Sequence, residues 1–317
     1  MKRLCVFAHW DRDSIIDDYV IYYLKALKEV CETIIFVSDC NLDTNETNKL
    51  NNIADFVLAQ THGEYDFGSY KRGFLLAKEK SLQFEELLFV NDSCYGPFYS
   101  LKPIFEEMEN KKCDFWGMTQ NRYGITKFEE SPTKPSIAPH IQSYFILFKQ
   151  SVFDSDIFKN FINSIKAENA KNDVVTNNEV GLSQLLYKNG FKSAVFINKY
   201  RFIHNCLIEK WDKLIAQDNF PFLKTAIIKN GLYFTGEVKD WEKVITPTNY
   251  PIELIKQHSE RVKDLFENKY SNMNAYRKIR FNLLKNAPLE IRFFVINIER
   301  SLYKILNIIC FNKLKKF

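Results

Sequence analysis

Several features that define whole classes of proteins are missing from this chain of 317 residues. Its seven cysteines form no Cys-x-x-Cys pair, which argues against a zinc ribbon or a redox motif. The chain has no stretch of about 18 uninterrupted apolar residues, so we expect no membrane-spanning helix. Only a short apolar run follows Met1-Lys2-Arg3, so the sequence predicts no signal peptide. Free thiols in a reducing cytoplasm are the simplest interpretation of the scattered cysteines.

Glycine is also scarce, at 10 residues, and the chain has neither a low-complexity tract nor a repeat of fixed period. With 46% hydrophobic and 26% charged residues, the composition is that of a globular protein and excludes a disordered or collagen-like chain. A chain of this length can bury a sizeable core without disulfides or metal ions. The length fits either two domains or one large α/β domain.

Positive charge is concentrated towards the C-terminal end. Residues 277–317 contain ten Lys or Arg and two Glu, whereas the remaining chain contains 34 basic and 37 acidic residues. This distribution argues against a general nucleic-acid-binding protein. We expect a first domain at residues 1–235 and a helical, basic region at 236–317. Residues 289–317 mix Ile, Leu and Phe with Lys and Arg, which predicts an amphipathic helix that either lies on an anionic membrane surface or packs on the first domain.

Short apolar runs alternate with segments of helical spacing along the first 200 or so residues, a pattern typical of βαβ units and a mostly parallel sheet. Ligands bind at the carboxyl ends of such strands. A long loop is expected at Asn121–Pro139, which contains three prolines. The predicted strands are Arg3–Ala8, Thr33–Ser38, Asp55–Ala59, Glu86–Val90, Asp114–Met118, Ser143–Phe148 and Ala194–Asn198. The predicted helices are Ile15–Val30, Asn48–Asn52, Tyr70–Lys80, Pro103–Asn110, Phe153–Ala167 and Asn178–Asn189, the last closed by Gly190.

Residues 62–73 join the third predicted strand to a helix and are rich in glycine. Gly68 would allow close approach of the backbone to a ligand, and Asp66 could accept hydrogen bonds from a ribose or a base. Lys71 and Arg72 could neutralise a phosphate. The alternative is a glycine-rich connector in which Asp66 caps the helix.

Asn91-Asp92-Ser93 directly follows a predicted buried strand. A carboxylate at that position could hold Mg²⁺ or Mn²⁺ against a diphosphate, although Asn-Asp-Ser is also ordinary turn chemistry. Asp11 follows the first strand and either lines a nucleotide pocket or caps the next helix. A rival interpretation takes Asp11-Arg12-Asp13 as the nucleophile motif of haloacid-dehalogenase phosphatases, but Ile15 stands where Thr or Val is usual.

Three further residues are candidates in the second half of this region. Glu179 opens a predicted helix, where it could be an exposed cap or a general base for a hydroxyl. His140 precedes a strand and could contact an acceptor or a metal ion, and Gln142 could donate a hydrogen bond to a sugar. His204 is a second candidate metal ligand. A structural role is the alternative for each histidine.

Six segments together resemble the rhamnan synthesis F family of bacterial polysaccharide glycosyltransferases. They occur in collinear order over about residues 5–198. The resemblance implies a GT-A-like fold and the transfer of a sugar, typically L-rhamnose from a dTDP donor, onto a growing cell-surface glycan. The matching segments are FAHWDRDSIIDDYVIYYLKAL, GEYDFGSYKRG, LLFVNDSCYGPF, CDFWGMT, HIQSYFILF and EVGLSQLLYKNGF.

The resemblance also implies roles for individual residues. Asn91-Asp92-Ser93 occupies the place of the Asp-x-Asp metal motif of GT-A enzymes but has one carboxylate, which leaves the need for Mg²⁺ or Mn²⁺ open. Glu179 matches the catalytic base of inverting enzymes, and Asp39, after the second strand, matches a contact to the nucleotide base or forms a plain turn. The implied acceptor is lipid-linked, which would place the protein at the inner face of the plasma membrane. The alternative function is a non-catalytic nucleotide- or sugar-binding module of a polysaccharide assembly complex.

Overall fold

The computed structural model describes residues 2–124, 136–200, 205–229 and 241–264, together with Ile279 and Ile298. The chain divides into two compact units. The first comprises Met1–Thr225 and Glu242–His258, and the second comprises Ala226–Trp241 and Ser259–Phe317. The main sheet and the candidate site residues discussed below belong to the first unit. The predicted domains at 1–235 and 236–317 stay a prediction.

An eight-stranded sheet is the centre of the first unit, with the order β3-β2-β1-β4-β8-β6-β7 and β9 paired with β6. β1 is parallel to β2 and β4, and β6 is parallel to β9, whereas β8 is antiparallel to both β4 and β6. The expected α/β class, with a Rossmann-type, mostly parallel sheet, is therefore confirmed. The described strands are β1 (Arg3–His9), β2 (Thr33–Ser38), β3 (Phe56–Ala59), β4 (Glu86–Asn91), β5 (Cys94–Tyr95), β6 (Phe115–Gly124), β7 (Ser136–Ile141), β8 (Phe145–Lys149), β9 (Ser193–Ile197) and β10 (Leu223–Lys224).

Helices connect these strands, as the alternating pattern predicts. A π-helical turn at Val175–Val180 joins two of them into one continuous helical segment, and a 3-10 turn lies at Thr246–Thr248. The described helices are α1 (Asp18–Lys28), α2 (Thr44–Asn48), α3 (Tyr65–Glu79), α4 (Lys102–Glu109), α5 (Gln150–Phe153), α6 (Asp156–Ser164), α7 (Lys171–Val174), α8 (Gly181–Lys188), α9 (Cys206–Glu209), α10 (Trp211–Asp218), α11 (Thr225–Lys229), α12 (Trp241–Ile245) and α13 (Glu253–Arg261).

The central strands are buried along their whole length, which is why they read as unbroken apolar runs in the sequence. All seven residues of β1 and all six of β4 are buried. The buried Arg3 pairs with the buried Glu86, whose Oε2 lies 2.8 Å from Arg3 Nε. Because β1, β2, β3, β4, β6 and β9 share one direction, their carboxyl ends meet at one edge of the sheet, where β8 begins.

Helix α3 differs from its prediction, since it begins at Tyr65 rather than at Tyr70. Gly68 therefore lies inside the helix instead of in a connecting segment, and Gly73 lies inside the helix as predicted. A Cβ added to Gly73 would lie 2.3 Å from Val6 Cγ1, so this glycine permits close packing of α3 on β1. A Cβ added to Gly68 would lie 2.3 Å from Glu64 Cβ. Gly68 thus leaves room for the side chain of Glu64, the residue that precedes α3.

The predicted long loop at Asn121–Pro139 is wrong for the part that the structure describes. β6 extends to Gly124, and β7 pairs antiparallel with it from Ser136. Proline is tolerated in strands at the edge of a sheet, and β7 is an edge strand, so Pro139 does not prevent pairing. Residues 125–135 lie outside the described part.

Capping side chains explain two further differences between the predicted and the observed helices. A helix occurs at Thr44–Asn48 rather than at Asn48–Asn52, because Asp43 Oδ1 accepts a hydrogen bond of 2.9 Å from Glu46 N. The helix predicted over Phe153–Ala167 is divided, because Ser155 caps α6. Gly190 is confirmed as the glycine that follows α8, with a φ of 85°.

Six of the seven cysteines are described, and all six are free and buried. Within the described part of the chain, no helix is both long and apolar enough to span a bilayer. The predicted amphipathic helix at 289–317 lies outside the described residues apart from Ile298, and so does His204. Both predictions stay predictions.

Candidate functional site

The turn after β4 is joined to the start of α3 by side-chain hydrogen bonds. Asn91 Nδ2 donates to Asp66 Oδ2 at 2.7 Å. Asn91 Oδ1 accepts from Ser93 N at 3.1 Å and from Ser93 Oγ at 2.5 Å. Asn91-Asp92-Ser93 is therefore a turn, as its composition suggests, and the same turn positions Asp66.

Asp92 lies between the ends of β4 and β1. Its Oδ2 accepts a hydrogen bond of 2.9 Å from Trp10 N, and its carbonyl oxygen accepts one of 2.9 Å from the Tyr19 hydroxyl. Trp10 is 58% exposed, which is unusual for a residue with so large an apolar side chain. The carboxylate is thus fixed at the edge of the sheet by the segment that follows β1.

Glu179 is held by the residues that precede β8. Its Oε2 accepts hydrogen bonds from Ser143 Oγ and, at 2.8 Å, from Ser143 N. Its Oε1 lies 3.7 Å from His140 Nε2, and His140 Nδ1 is 2.8 Å from the carbonyl oxygen of Ala138. A carbonyl oxygen only accepts, so Nδ1 carries the proton in that contact and Nε2 faces Glu179.

The predicted position of Glu179 at the start of a helix is wrong. It lies in the π-helical turn between α7 and α8, inside a continuous helical segment. Such turns are frequent at functional sites because they displace side chains from the regular helical positions. Here the turn brings the carboxylate against Ser143 at the edge of the sheet.

Three carboxylates act on the same tyrosine. Burial is the main cause that raises the pKa of Tyr70, and Asp66, Asp92 and Glu179 raise it further by charge repulsion. The Tyr70 hydroxyl donates a hydrogen bond of 2.9 Å to the carbonyl oxygen of Ser143. The three acidic residues singled out from the sequence therefore all raise the pKa of one buried hydroxyl. Their chemical roles stay predictions.

Several charged side chains shift the pKa of Asp66. Burial raises the pKa of Asp66, whereas Lys171, the hydrogen bond from Asn91 and Lys224 lower it, and Glu179 raises it. Lys171 and Lys224 were not predicted as site residues. Lys224 in particular comes from a distant part of the sequence, and no local motif marks it.

The basic residues that were predicted to bind phosphate have partners within the protein. Lys71 Nζ donates to the carbonyl oxygens of Ile165, at 2.7 Å, and Asn163, at 3.3 Å. Arg72 Nη1 donates to Glu64 Oε2 at 2.7 Å. Their proposed role as phosphate ligands stays a prediction.

Asp39 organises the segment between β3 and α3. Its Oδ1 accepts hydrogen bonds of 2.5 Å from His62 N and 2.9 Å from Gly63 N. His62 Nε2 is 3.0 Å from Ser69 Oγ. Burial lowers the pKa of His62, and the nearby Asp39 carboxylate opposes this shift. Asp39 is therefore fixed at the carboxyl end of β2.

Two other candidates make contacts within the protein. Asp11 Oδ1 accepts hydrogen bonds of 2.9 Å from Asp13 N and 3.2 Å from Ile15 N, as a residue that caps the following segment does. Gln142 Oε1 accepts one of 2.7 Å from Thr119 Oγ1. Whether either residue also contacts a ligand stays a prediction.

No group of three or more His, Cys, Asp or Glu side chains suited to a metal ion occurs in the described ranges. Mg²⁺ bound to a nucleotide needs only one or two protein carboxylates, since substrate phosphates supply other ligands. Asp92 fits that limited requirement, and Asp66, at the same edge, could add a second carboxylate. The residues present are thus compatible with a cation held together with a substrate.

The chain is similar in sequence to two curated proteins. It is 25% identical to the uncharacterized protein y4gN of Sinorhizobium fredii over 158 residues, which are 50% of this chain and 39% of that protein. It is 25% identical to the virulence protein VirA of Vibrio anguillarum over 238 residues, which are 74% of this chain and 69% of that protein. The chain thus spans about two fifths of the first relative.

Similar solved structures include a core-mannan synthase and two glycosyltransferases. Core-mannan synthase A from Aspergillus fumigatus, in an Mn/GDP form, has a TM-score of 0.36 at 11% identity, over 62% of this chain and 73% of that one. The glycosyltransferase GlyE of Streptococcus pneumoniae has a TM-score of 0.42 at 12% identity, over 82% and 64%. A glycosyltransferase involved in glycosylation of the major capsid of PBCV-1 has a TM-score of 0.39 at 11% identity, over 71% and 93%.

A family model covers most of the chain. The model of the family described as rhamnan synthesis protein F matches residues 34–290, which include β3 to β10 and the residues Asp39, Asp66, Asp92 and Glu179. This match confirms the resemblance carried by the six sequence segments. The chain belongs to the rhamnan synthesis protein F family.

Proposed function

We propose that the protein is a glycosyltransferase that moves a sugar from a nucleotide-sugar donor to a glycan acceptor at the carboxyl edge of its sheet. The observation that carries the proposal is the hydrogen-bond arrangement at this edge: Asn91 joins Asp66 to the turn that contains Asp92, and Ser143 joins Glu179 to the hydroxyl of Tyr70. Ser143 holds Glu179 at this edge, and His140 Nε2 lies 3.7 Å from Glu179 Oε1. Membership of the rhamnan synthesis protein F family supports the same conclusion.

The proposed donor is dTDP-L-rhamnose, and the proposed acceptor is a growing lipid-linked cell-surface polysaccharide or lipopolysaccharide. The family description supports rhamnose, because a rhamnan is a polymer of that sugar. The basic, apolar sequence at 289–317 supports work at an anionic membrane surface, such as the inner face of the plasma membrane.

Glu179 is the proposed general base. It removes the proton from an acceptor hydroxyl, and that oxygen attacks the anomeric carbon on the side opposite the diphosphate. The new carbon–oxygen bond forms as the bond from the anomeric carbon to the phosphate oxygen breaks, so the configuration inverts and the diphosphate leaves with the electron pair. Oε2 is engaged by two donors from Ser143, which makes Oε1 the oxygen that takes the proton.

The proposed roles of the remaining residues concern binding. Asp39 and Asp11 lie after β2 and β1, where the nucleoside would bind. His140 lies beside Glu179, and Gln142 directly precedes Ser143, where the acceptor would bind. Mg²⁺ or Mn²⁺, when bound by Asp92 with Asp66, would neutralise charge on the diphosphate.

The proposal is tested by assays of sugar transfer and donor hydrolysis with dTDP-L-rhamnose and a panel of other nucleotide sugars. For Glu179→Gln we expect a loss of turnover of roughly 10²- to 10⁴-fold, the usual contribution of a general base. Glu106→Gln, which neutralises an exposed residue on α4, is the control and should be active. Thermal unfolding checks that both variants are folded.

Near-wild-type turnover of a folded Glu179→Gln variant would remove Glu179 as the base. The single carboxylate of Asn91-Asp92-Ser93 also favours a second candidate function, a nucleotide- or sugar-binding module without catalysis. Binding of a nucleotide sugar that stabilises the wild-type protein, with neither transfer nor hydrolysis, would indicate that second function.

A further inference from the structure

The two-stranded sheet of β5 and β10 returns a distant part of the chain to the turn after β4. β10 pairs antiparallel with β5, which places Lys224 opposite Cys94. Thr225 N donates a hydrogen bond of 2.9 Å to the carbonyl oxygen of Ser93. The backbone on both sides of Lys224 is thereby fixed against the Asn91-Asp92-Ser93 turn.

The ammonium group of Lys224 is half-buried and points at this turn. Its Nζ donates to Ser93 Oγ at 2.8 Å and lies 4.4 Å from the centre of the Tyr144 ring. Within the described residues, no carboxylate lies in ion-pair contact with Lys224 Nζ. A cation that loses part of its water and gains no such contact is costly, and the aromatic ring offsets only part of that cost.

The charge of Lys224 reaches the carboxylate cluster, because it lowers the pKa of Asp66. Lys71 and Arg72 are bonded to other protein groups, and Lys171 is exposed at the start of α7. Lys224 therefore combines three properties that a phosphate-binding group needs: a fixed position, partial removal from water, and no competing ion pair in the described part of the chain.

We propose that Lys224 binds the diphosphate of the donor and neutralises the charge that develops on the leaving phosphate oxygen. The proposal rests on the proposed glycosyltransferase function. As the bond from the anomeric carbon to that oxygen breaks, the oxygen takes the electron pair, and an ammonium hydrogen bond to it becomes stronger. A turn with one carboxylate binds a metal ion less readily than a turn with two. Lys224, bonded to the same turn as Asp92, supplies positive charge there.

The test compares Lys224→Met with Lys224→Arg and with Lys25→Met, which removes an exposed positive charge from the last turn of α1. Binding of dTDP, UDP and GDP and of their nucleosides is measured by calorimetry, with EDTA and separately with Mn²⁺. In EDTA we expect Lys224→Met to bind the diphosphate roughly ten- to hundredfold more weakly, the loss of a charge-assisted hydrogen bond. Its nucleoside affinity should be unchanged. Lys224→Arg should retain most of the diphosphate affinity, and Lys25→Met all of it.

The outcomes separate this proposal from the proposed function. If Lys224→Met binds the diphosphate like the wild type while the wild type transfers sugar, only the role of Lys224 is overturned. An equal loss of nucleoside and diphosphate affinity also overturns it, because it would indicate a general disturbance of the site. If the wild type binds none of the three diphosphates, both the glycosyltransferase proposal and the role of Lys224 are overturned.

Discussion

Ser143 has two separate connections in the candidate site. Its backbone N and its Oγ both donate to Glu179, while its carbonyl oxygen accepts from Tyr70. Tyr70 in turn stacks on Phe89 of β4, with ring centres 4.5 Å apart. Glu179 is thus connected through Ser143 to a rigid aromatic pair in the core, which limits the movement of the carboxylate.

His62 gives a prediction for the pH dependence of stability. Burial holds its pKa below the usual value of about 6.5. The folded state therefore favours neutral His62. The contribution of neutral His62 to the free energy of unfolding is complete above about pH 6.5 and is lost as the pH falls through the lower, folded-state pKa. We expect the free energy of unfolding, measured in urea, to fall less steeply below about pH 6.5 in His62→Gln than in the wild type.

The matched control for that experiment is a histidine outside this loop. The His258→Gln variant keeps His62, so it should retain the pH dependence of the free energy of unfolding that His62 causes. The same pH slope in His62→Gln as in the wild type would show that the protonation of His62 is not linked to folding.

Candidate site residues could be predicted from the sequence where they directly follow a buried strand. Asp39 and Asp92 were found because each follows an apolar run that becomes a strand with a buried carboxyl-terminal half. Lys224 was missed because its hydrogen-bond partner Ser93 is 131 positions away. A contact over that separation depends on the pairing of β5 with β10, and neither two-residue strand has a recognisable periodicity.

At the scale of whole elements, the start of α3, the helix that packs on β1, is the clearest difference between the sequence prediction and the structure. Gly68 lies in the predicted connecting segment, yet it is inside the helix, which begins at Tyr65. Tyr65, its first residue, has a φ of 57°, which is rare for an aromatic residue, so the start of the helix lacks the usual capping sequence. The strands of the central sheet were predicted well, because burial on both faces leaves a continuous apolar run.

Gly73→Ala tests this packing. The added Cβ would lie 2.3 Å from Val6 Cγ1 in a central strand, so helix and sheet must separate. We expect a loss of about 1–3 kcal/mol in the free energy of unfolding, as for other overpacked cores. Gly181→Ala is the control, because its Cβ would meet no atom closer than 3.4 Å and alanine favours a helix. Equal stability of the Gly73→Ala variant and the wild type in urea would contradict the packing argument.

At the scale of the whole molecule, the direction of the strands brings together residues that are far apart in sequence. The ends of β1, β2 and β4 and the start of β8 share one edge, and Asp39, Asp92 and Ser143 follow or precede them there. The sequence could predict this convergence because the rule for parallel strands is general. It could not predict the reversed pairing of β6 with β7, whose polar residues and Pro139 resemble a loop.

The charge distribution of the chain yields a prediction for membrane binding. Residues 289–317 carry six Lys or Arg and two Glu. Each basic residue near an anionic surface contributes about 1 kcal/mol to binding. We expect the full chain to sediment with vesicles that contain anionic lipid and not with neutral vesicles, and added salt to weaken this binding.

The deletion of residues 289–317 should abolish that sedimentation. Because a truncated chain could be destabilised, its thermal unfolding is compared with that of the full chain, and a full-length variant with Lys313, Lys315 and Lys316 replaced by Gln provides a second measurement. That variant should bind anionic vesicles more weakly, since three charges are lost while the apolar residues stay. Unchanged sedimentation of both proteins would place the membrane contact outside residues 289–317. Failure of the full chain to sediment with anionic vesicles would exclude membrane contact. In either case the basic residues would be a solvated face of a packed helix.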